Sequence, residues 1–443
     1  MKQTIGALII LCLASGAVRA QQPGIPFFRP NDKTGINVFE TTKFDTTAYS
    51  GMRFRIGGSF AQSYQGLADQ NTAAYVKTSK TDSTNATLLD PLTGGFNLAM
   101  ANMTLDALLE DGIRANVTVY LSSKHHNESW VKNGYLQLDK MTFFHSDFIN
   151  DVMKSVTLKV GDLEVDYGDQ HFRRADGGNE MYNPFVENYI MDEFATEIGA
   201  EVYYHPFNNG LVAMIGVTDG MLNPTVVASS KIDSATKNPN QYNPAFHAKL
   251  GYDKQLSDDL RVRLTGSVYS ESSTSSSTLF GGDRTGSNYF LVMENTAAST
   301  TGNAFSGRFN PGFSEQVTTF MINPFVKYAG LEVFGTYESA KGRTVSETVS
   351  RKASQIAGDV IYRFGATENF WVGARYNTVK STLPVSNVDV TINRIVGSVG
   401  WFLTPSVMMK AEYVTQEYKD FPTTDIRNGG KFSGLVVQAV LGF

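Results

Sequence analysis

Hydrophobic and polar residues alternate along most of this chain with a period of two. From Gly51 to Tyr64, Met52, Phe54, Ile56 and Phe60 fall on one face, and Arg53, Arg55, Ser59 and Ser63 on the other. Successive side chains of a strand point to opposite faces, so this segment reads as a strand with one apolar and one polar side. The pattern returns at Ile113–Leu121, where Ile113, Ala115, Val117, Val119 and Leu121 oppose Arg114, Asn116, Thr118 and Tyr120. In Phe194–Tyr204, Phe194, Ile198, Val202 and Tyr204 oppose Glu197 and Glu201. Leu260–Val268 sets its leucines and valines against Arg261 and Arg263, and Val407–Tyr413 sets Val407, Met409, Ala411 and Tyr413 against Lys410 and Glu412. One short helix is expected between Met141 and Lys154, capped by Ser146, with Phe148, Ile149, Val152 and Met153 on its apolar face.

A soluble sandwich also alternates, with its apolar faces turned inward. Strand length favours the opposite arrangement, a membrane barrel that is apolar toward lipid and polar toward water. The periodic segments run about 10–14 residues, longer than the usual ~5–6 and close to the roughly 9–11 of a tilted membrane strand. Short connections fall at 110–112, 141–154, 205–210, 253–259, 329–330, 365–369 and 404–405. Long ones lie near 65–95, 125–130, 169–192, 221–243, 271–315, 340–353, 379–387 and 419–430.

If the short turns share one face of the membrane, these connections give sixteen strands with both chain ends on that face. The apolar run Tyr289–Met293 would make a seventeenth strand and invert every later turn, so it is assigned to the fifth long loop. A full hairpin there would give eighteen. The expected fold class is therefore all-β, a transmembrane antiparallel barrel of sixteen strands. Barrels of that size leave an aqueous channel, whereas eight strands fill with side chains.

The first twenty residues read as a secretory signal: Lys2, an apolar run from Ile5 to Leu13, and Val18-Arg19-Ala20 before Gln21. Cys12 lies inside it, so the mature chain has no cysteine for a disulfide, a thiolate metal site or a nucleophile. Without Lys2 and Arg19, 36 basic residues face 43 acidic ones, which disfavours nucleic acid as a partner. The domain reading is a signal peptide (1–20), an N-terminal segment (21–50) and a barrel (51–443). The segment reads as a tail or a short insertion, too small for a folded plug domain.

Enzyme chemistry finds little support. The mature chain has His125, His126, His145, His171, His205 and His247, without a serine nucleophile motif or metal-ligand spacing. Adjacent His125 and His126 would point to opposite faces of a strand. No metal, cofactor or catalytic residue is expected.

The stretch Gly168–Glu193 is different. It mixes Asp169, His171, Arg173, Arg174, Asp176, Glu180 and Glu187 with Phe172, Tyr182, Phe185 and Tyr189. A solvated loop would be poorer in aromatics, and a core segment poorer in charge. Elsewhere, the inward charges Arg53, Arg55, Arg114, Glu197, Glu201, Arg261 and Arg263 are expected to line the pore, with Arg363, Arg375, Glu332, Glu338 and Asp359 as further candidates.

The chain closes on Phe443, ending a strand with Leu435, Val437, Ala439, Leu441 and Phe443 on one face. This terminal aromatic resembles the signal read by the barrel-assembly machinery, with Gln438 where that signal often has glycine. The signal peptide, the strand count and Phe443 together resemble the bacterial outer-membrane porin superfamily. The runs VGDLEVDYGDQHFRR and YNPFVENYIMDEFATE are similar to a signature of porin-like outer-membrane proteins.

The resemblance implies an outer-membrane location, a homotrimer, and a third external loop that folds into the lumen. On that reading Asp169, Arg173, Arg174, Asp176, Glu180 and Glu187 edge the constriction, and small hydrophilic solutes or ions diffuse past them. Two alternatives stand beside passive diffusion: a channel selective for anions or sugars, and a barrel acting as adhesin or assembly partner through its long loops, 271–315 above all.

Overall fold

From Arg53 to Gly442 the chain runs back and forth as sixteen long strands, each hydrogen-bonded antiparallel to the next. The computed structural model describes residues 24–43, 45, 47–77, 85–121, 129–175, 178–206, 209–222, 225–274 and 276–443. The first eight strands are β1 (Arg53–Gln70), β2 (Met100–Glu110), β3 (Ile113–Tyr120), β4 (Trp130–Leu138), β5 (Val156–Glu164), β6 (Thr196–Tyr204), β7 (Leu211–Thr218) and β8 (Ala245–Gln255). The rest are β9 (Leu260–Glu271), β10 (Gln316–Tyr328), β11 (Leu331–Arg343), β12 (Arg351–Phe364), β13 (Phe370–Thr382), β14 (Asp389–Thr404), β15 (Val407–Lys419) and β16 (Lys431–Gly442). A two-residue strand, Gly95–Phe96, also pairs with Tyr64 and Gln65 of β1.

The sheet closes on itself. The first half of β1 pairs with β2, from Arg53–Leu108 to Ala61–Met100. Its second half pairs with β16, from Ser59–Gly442 to Gln70–Lys431. Closure leaves no unpaired edge, which is what allows a sheet to stand in lipid, where no water can satisfy a free N–H or C=O.

The two faces have the polarity of a membrane protein. Outside, Phe54 is 55% exposed, Leu264 55% and Tyr413 57%, and Leu435, Leu441 and Phe443 are exposed with them. Inside, Arg114, Asn116, Lys249, Gln355, Asp359 and Lys410 are buried. The expected sixteen-stranded transmembrane barrel is the observed fold, and Tyr289–Met293 lies within the fifth long loop.

Several boundaries move. β1 runs six residues past its expected end at Tyr64, because its pairing with β16 continues after the apolar alternation stops. Asp253 belongs to β8, so that turn is shorter than expected. Phe194 is not a lipid-facing strand residue. It is buried, its N–H donates to Leu279 O at 2.8 Å, and β6 begins at Thr196. The helix α1 (Asp147–Met153) is capped by Ser146, whose Oγ accepts from Ile149 N at 3.4 Å. Of its apolar residues Met153 is buried, whereas Phe148 and Val152 are exposed. His125, His126 and Asp176 lie outside the described residues.

Candidate functional site

The third long loop, 165–195, leaves β5 and turns into the barrel at Gly168. Its φ of +73° is a conformation that disfavours a side chain, and a Cβ there would overlap Met321 Sδ of β10. Lys249 Nζ donates to Gly168 O at 2.9 Å. Gly168→Val should therefore lower the thermal unfolding midpoint and expose the loop to protease. The backbone conformation alone costs roughly 1–2 kcal/mol. Unchanged protease sensitivity would show that the turn does not hold the loop.

Charges fasten the entry. Asp169 accepts from Arg263 Nε and Nη2, both at 2.7 Å, and from Thr265 Oγ1 at 2.7 Å. Burial pushes the Asp169 carboxyl up, but Arg263 and Lys249 outweigh it and hold it below its ordinary value. Arg173 Nη2 donates to Glu332 at 2.6 Å, with its guanidinium over the Phe334 ring.

His171 bridges Asp166 at 2.7 Å and Glu164 at 3.1 Å. Burial lowers its pKa, while these two hydrogen bonds raise it further, so the ring sits above its ordinary 6.5. The stability this charge contributes is complete below 6.5 and is lost as pH rises through the raised folded value. Hydrogen-exchange protection of amides 166–174 should accordingly fall on the alkaline side.

Farther along, wall side chains bind the loop backbone. Lys410 Nζ donates to the carbonyls of Glu180, Asn183 and Phe185 at 3.0, 3.0 and 2.7 Å. Arg375 reaches Glu187 O at 2.7 Å and lies between the rings of Phe185 and Tyr189, 4.1 and 4.3 Å from their centroids. Asn377 accepts from Ile190 N, Gln355 from Met191 N and Glu412 from Val186 N. The fifth loop, 272–315, packs behind. Arg308 binds Glu187 and Asp192, both at 2.7 Å, and Asn288 Nδ2 donates to Ala175 O and Val186 O. Together the two loops pack against the inner faces of β9–β16.

Residues 24–43 cross the short-turn mouth of the barrel. A 3-10 turn at Lys33–Gly35, capped by Asp32, reverses this strap on the far side. Lys33 N donates to Pro405 O at 2.9 Å, Asn31 to Phe443 O at 3.2 Å and Lys43 to Asp139 O at 2.8 Å. Glu40 pairs with Arg263 and Lys249 at 2.8 and 3.2 Å. Tyr182 of the third loop donates to Pro30 O at 2.6 Å, and Arg29 lies over its ring.

A cavity of about 220 Å³ lies inside the barrel, bounded by the strap, the third loop and the inner faces of β1–β6. Its wall carries Asn102, Asp106, Arg114, Asn116 and Asn133, and the loop contributes His171, Phe172 and Tyr182.

Of the expected pore-lining charges, Arg114 and Glu201 border this cavity. Arg53 donates to Gly24 O, and Arg55 lies over the ring of Phe28, so both meet the strap. Glu197 accepts from Tyr269 at 2.8 Å. Arg261 binds Asp253, and Arg263 binds Asp169, Glu40 and Asp253. Arg363 pairs with Glu332, Arg375 with Asp359, and Glu338 accepts from Tyr167.

Among the expected constriction residues, Asp169, Arg173, Arg174, Glu180 and Glu187 are buried. Arg174 pairs with Asp192, and Glu180 accepts from Ser59. None of the five borders this cavity, although Arg173 and Arg174 line a much smaller one beside Tyr189 and Arg375; each meets a protein partner. The groups missed in the sequence are the strap and the wall amides Asn102, Asn116 and Asn133. The strap shares the loop's mixture of aromatics and charges, with Phe27, Phe28 and Phe39 beside Arg29, Lys33 and Glu40.

A closed sixteen-stranded barrel, apolar outside and polar inside, with its third loop in the lumen, defines the class: a transmembrane antiparallel β-barrel. No protein-family model matches the chain, and no curated protein matches it. Among solved structures, OmpT, an outer membrane protein of Vibrio cholerae, is similar over 89% of this chain and 99% of its own, at 12% identity and a TM-score of 0.48. The outer membrane channel DcaP of Acinetobacter baumannii is similar over 89% and 99%, at 10% identity and 0.49. The anion-selective porin from Comamonas acidovorans is similar over 88% and 100%, at 11% identity and 0.47.

Proposed function

We propose that this chain is a non-catalytic channel of the bacterial outer membrane, passing small hydrophilic solutes between the third loop and the inner faces of β1–β6. The observation that carries the proposal is the polar cavity inside a barrel whose lumen is narrowed by two loops and the strap. So little open space favours a selective channel over a general diffusion pore. In this reading the signal peptide exports the chain, and the assembly machinery reads Leu441 and Phe443. The apolar outer face meets lipid or neighbouring copies in a homotrimer.

The buried charges of the third loop hold it in place, and the narrow passage is edged by Phe172, Gly178, Asn179 and Tyr182. An adhesin is the less favoured alternative, because its best candidate segment, the fifth loop, buries Leu279, Phe280, Tyr289, Val292, Phe309 and Phe313. Purified protein in a planar bilayer should give stable ionic steps, small for a barrel of this strand number. Insertion without steps, in the mature chain and in a chain lacking the strap alike, would overturn the channel reading.

A further inference from the structure

We infer that the cavity between the strap, the third loop and β1–β6 is a recognition site for a neutral, hydroxyl-rich molecule of monosaccharide size. This inference rests on the channel reading and names the class of solute that the site would take.

The wall is a register-matched lattice of short polar groups. β2 and β3 set Thr104 opposite Thr118 and Asp106 opposite Asn116, and β3 and β4 set Thr118 opposite Asn133 and Arg114 opposite Gln137. Asn116 Nδ2 donates to Asp106 at 2.9 Å and Arg114 Nη2 to Gln137 at 2.7 Å, so the lattice is preorganised by its own bonds. Three of its atoms have no hydrogen-bond partner among the described residues: Asp106 Oδ2, Arg114 Nε and Asn133 Oδ1. Their residues are all more than nine-tenths buried. The residues that line the cavity thus mix donors with acceptors. A hydroxyl group, which does both, satisfies such a surface where a group that only donates or only accepts does not.

Charge points the same way. Each carboxylate of the lining already has a basic partner: Asp106 has Arg114, Glu40 has Arg263, Glu164 has His171 and Glu201 has His247. Of the cations, Lys132 has Asp283 at 2.6 Å. Lys159 lies opposite Glu201 in register, over the Tyr203 ring and donating to its hydroxyl at 3.3 Å. Arg29 donates to two carbonyls, Gly35 O and Phe172 O. The charged groups of the lining thus already have protein partners, and a solute bringing net charge would have to displace one of them or lose its hydration. Phe172 and Tyr182 on the loop and Phe28 on the strap face the lattice across the cavity. Flat rings opposite a polar wall suit a molecule whose edges carry hydroxyls and whose faces carry C–H groups.

Equilibrium dialysis of the purified mature protein with labelled glucose and galactose tests this without needing conduction. Gluconate and glucosamine serve as the charged counterparts. Saturable binding of at least one hexose is expected, with both charged analogues about tenfold weaker or worse. Asn133→Leu and the near-isosteric Thr118→Val should each weaken hexose binding about tenfold, the effect of roughly one buried hydrogen bond. Tighter gluconate or glucosamine binding, or no saturable hexose binding by a correctly folded barrel, overturns the inference. A barrel that conducts but binds no hexose would leave the channel reading standing. One that binds hexose but never conducts would sink the channel reading instead.

Discussion

Removing residues 24–43 should raise single-channel conductance several-fold while leaving barrel insertion unchanged. The strap contributes no barrel strand, and it meets the rim only through side chains and a few backbone groups at the turns. Its loss leaves Arg263 with Asp169 and Asp253, and Lys249 with Asp166 and Asp169, so neither cation is stranded. What disappears is the floor of the cavity, formed by Phe28, Arg29, Phe39 and Glu40.

Acid offers a second route to the same state. Burial raises the Glu40 carboxyl, but Arg263 and Lys249 prevail and bring it down to about 2 from an ordinary 4.5. A depressed carboxylate contributes stability that is fully present above 4.5 and is lost as pH falls toward about 2. Conductance should therefore be steady through neutral and mildly acidic solution and rise only near the lower value. Equal conductance with and without the strap, at every pH, would show that the segment does not obstruct the path.

Excising residues 178–187 is expected to have the next largest effect: higher conductance, weaker discrimination among solutes and a lower unfolding midpoint. This tip is held by Lys410, whose three acceptors are all loop carbonyls, and by Arg375 between two rings. Cutting it removes those partners, but water entering the widened lumen can solvate both cations, so the barrel should still close. Lys410→Met is the sharper variant. It leaves three buried carbonyls without their donor, at about 1–3 kcal/mol for each that water cannot reach. The loop tip should then fluctuate and give a noisy open channel. A folded excision variant with wild-type conductance and wild-type selectivity would mean that the passage lies elsewhere.

Most of the barrel was legible because its alternation is a property of single strands. Phe54 and Arg55 need only lipid on one side and water on the other to declare their faces. Parity then counted the strands without knowledge of any contact. The site was less legible, since the same loop residues suit two geometries. Asp169 and Arg173 look like aperture charges in sequence, and their partners Arg263 and Glu332, roughly a hundred residues or more away, can be found only in the folded chain. The strap was missed for a different reason. Its residues have neither period two nor helical spacing, although Phe28-Arg29 and Phe39-Glu40 repeat the composition that singled out the third loop.

The seam between β1 and β16 gives the strap a place in the order of folding. Phe443 exchanges backbone hydrogen bonds with Gly58, donating at 3.1 Å and accepting at 3.0 Å, and the same terminal carbonyl accepts from Asn31. Asn31 can find that oxygen in position only after the last strand has zipped onto the first. Until then residues 24–43 have no complete rim to grip, so the full set of strap contacts requires a closed cylinder.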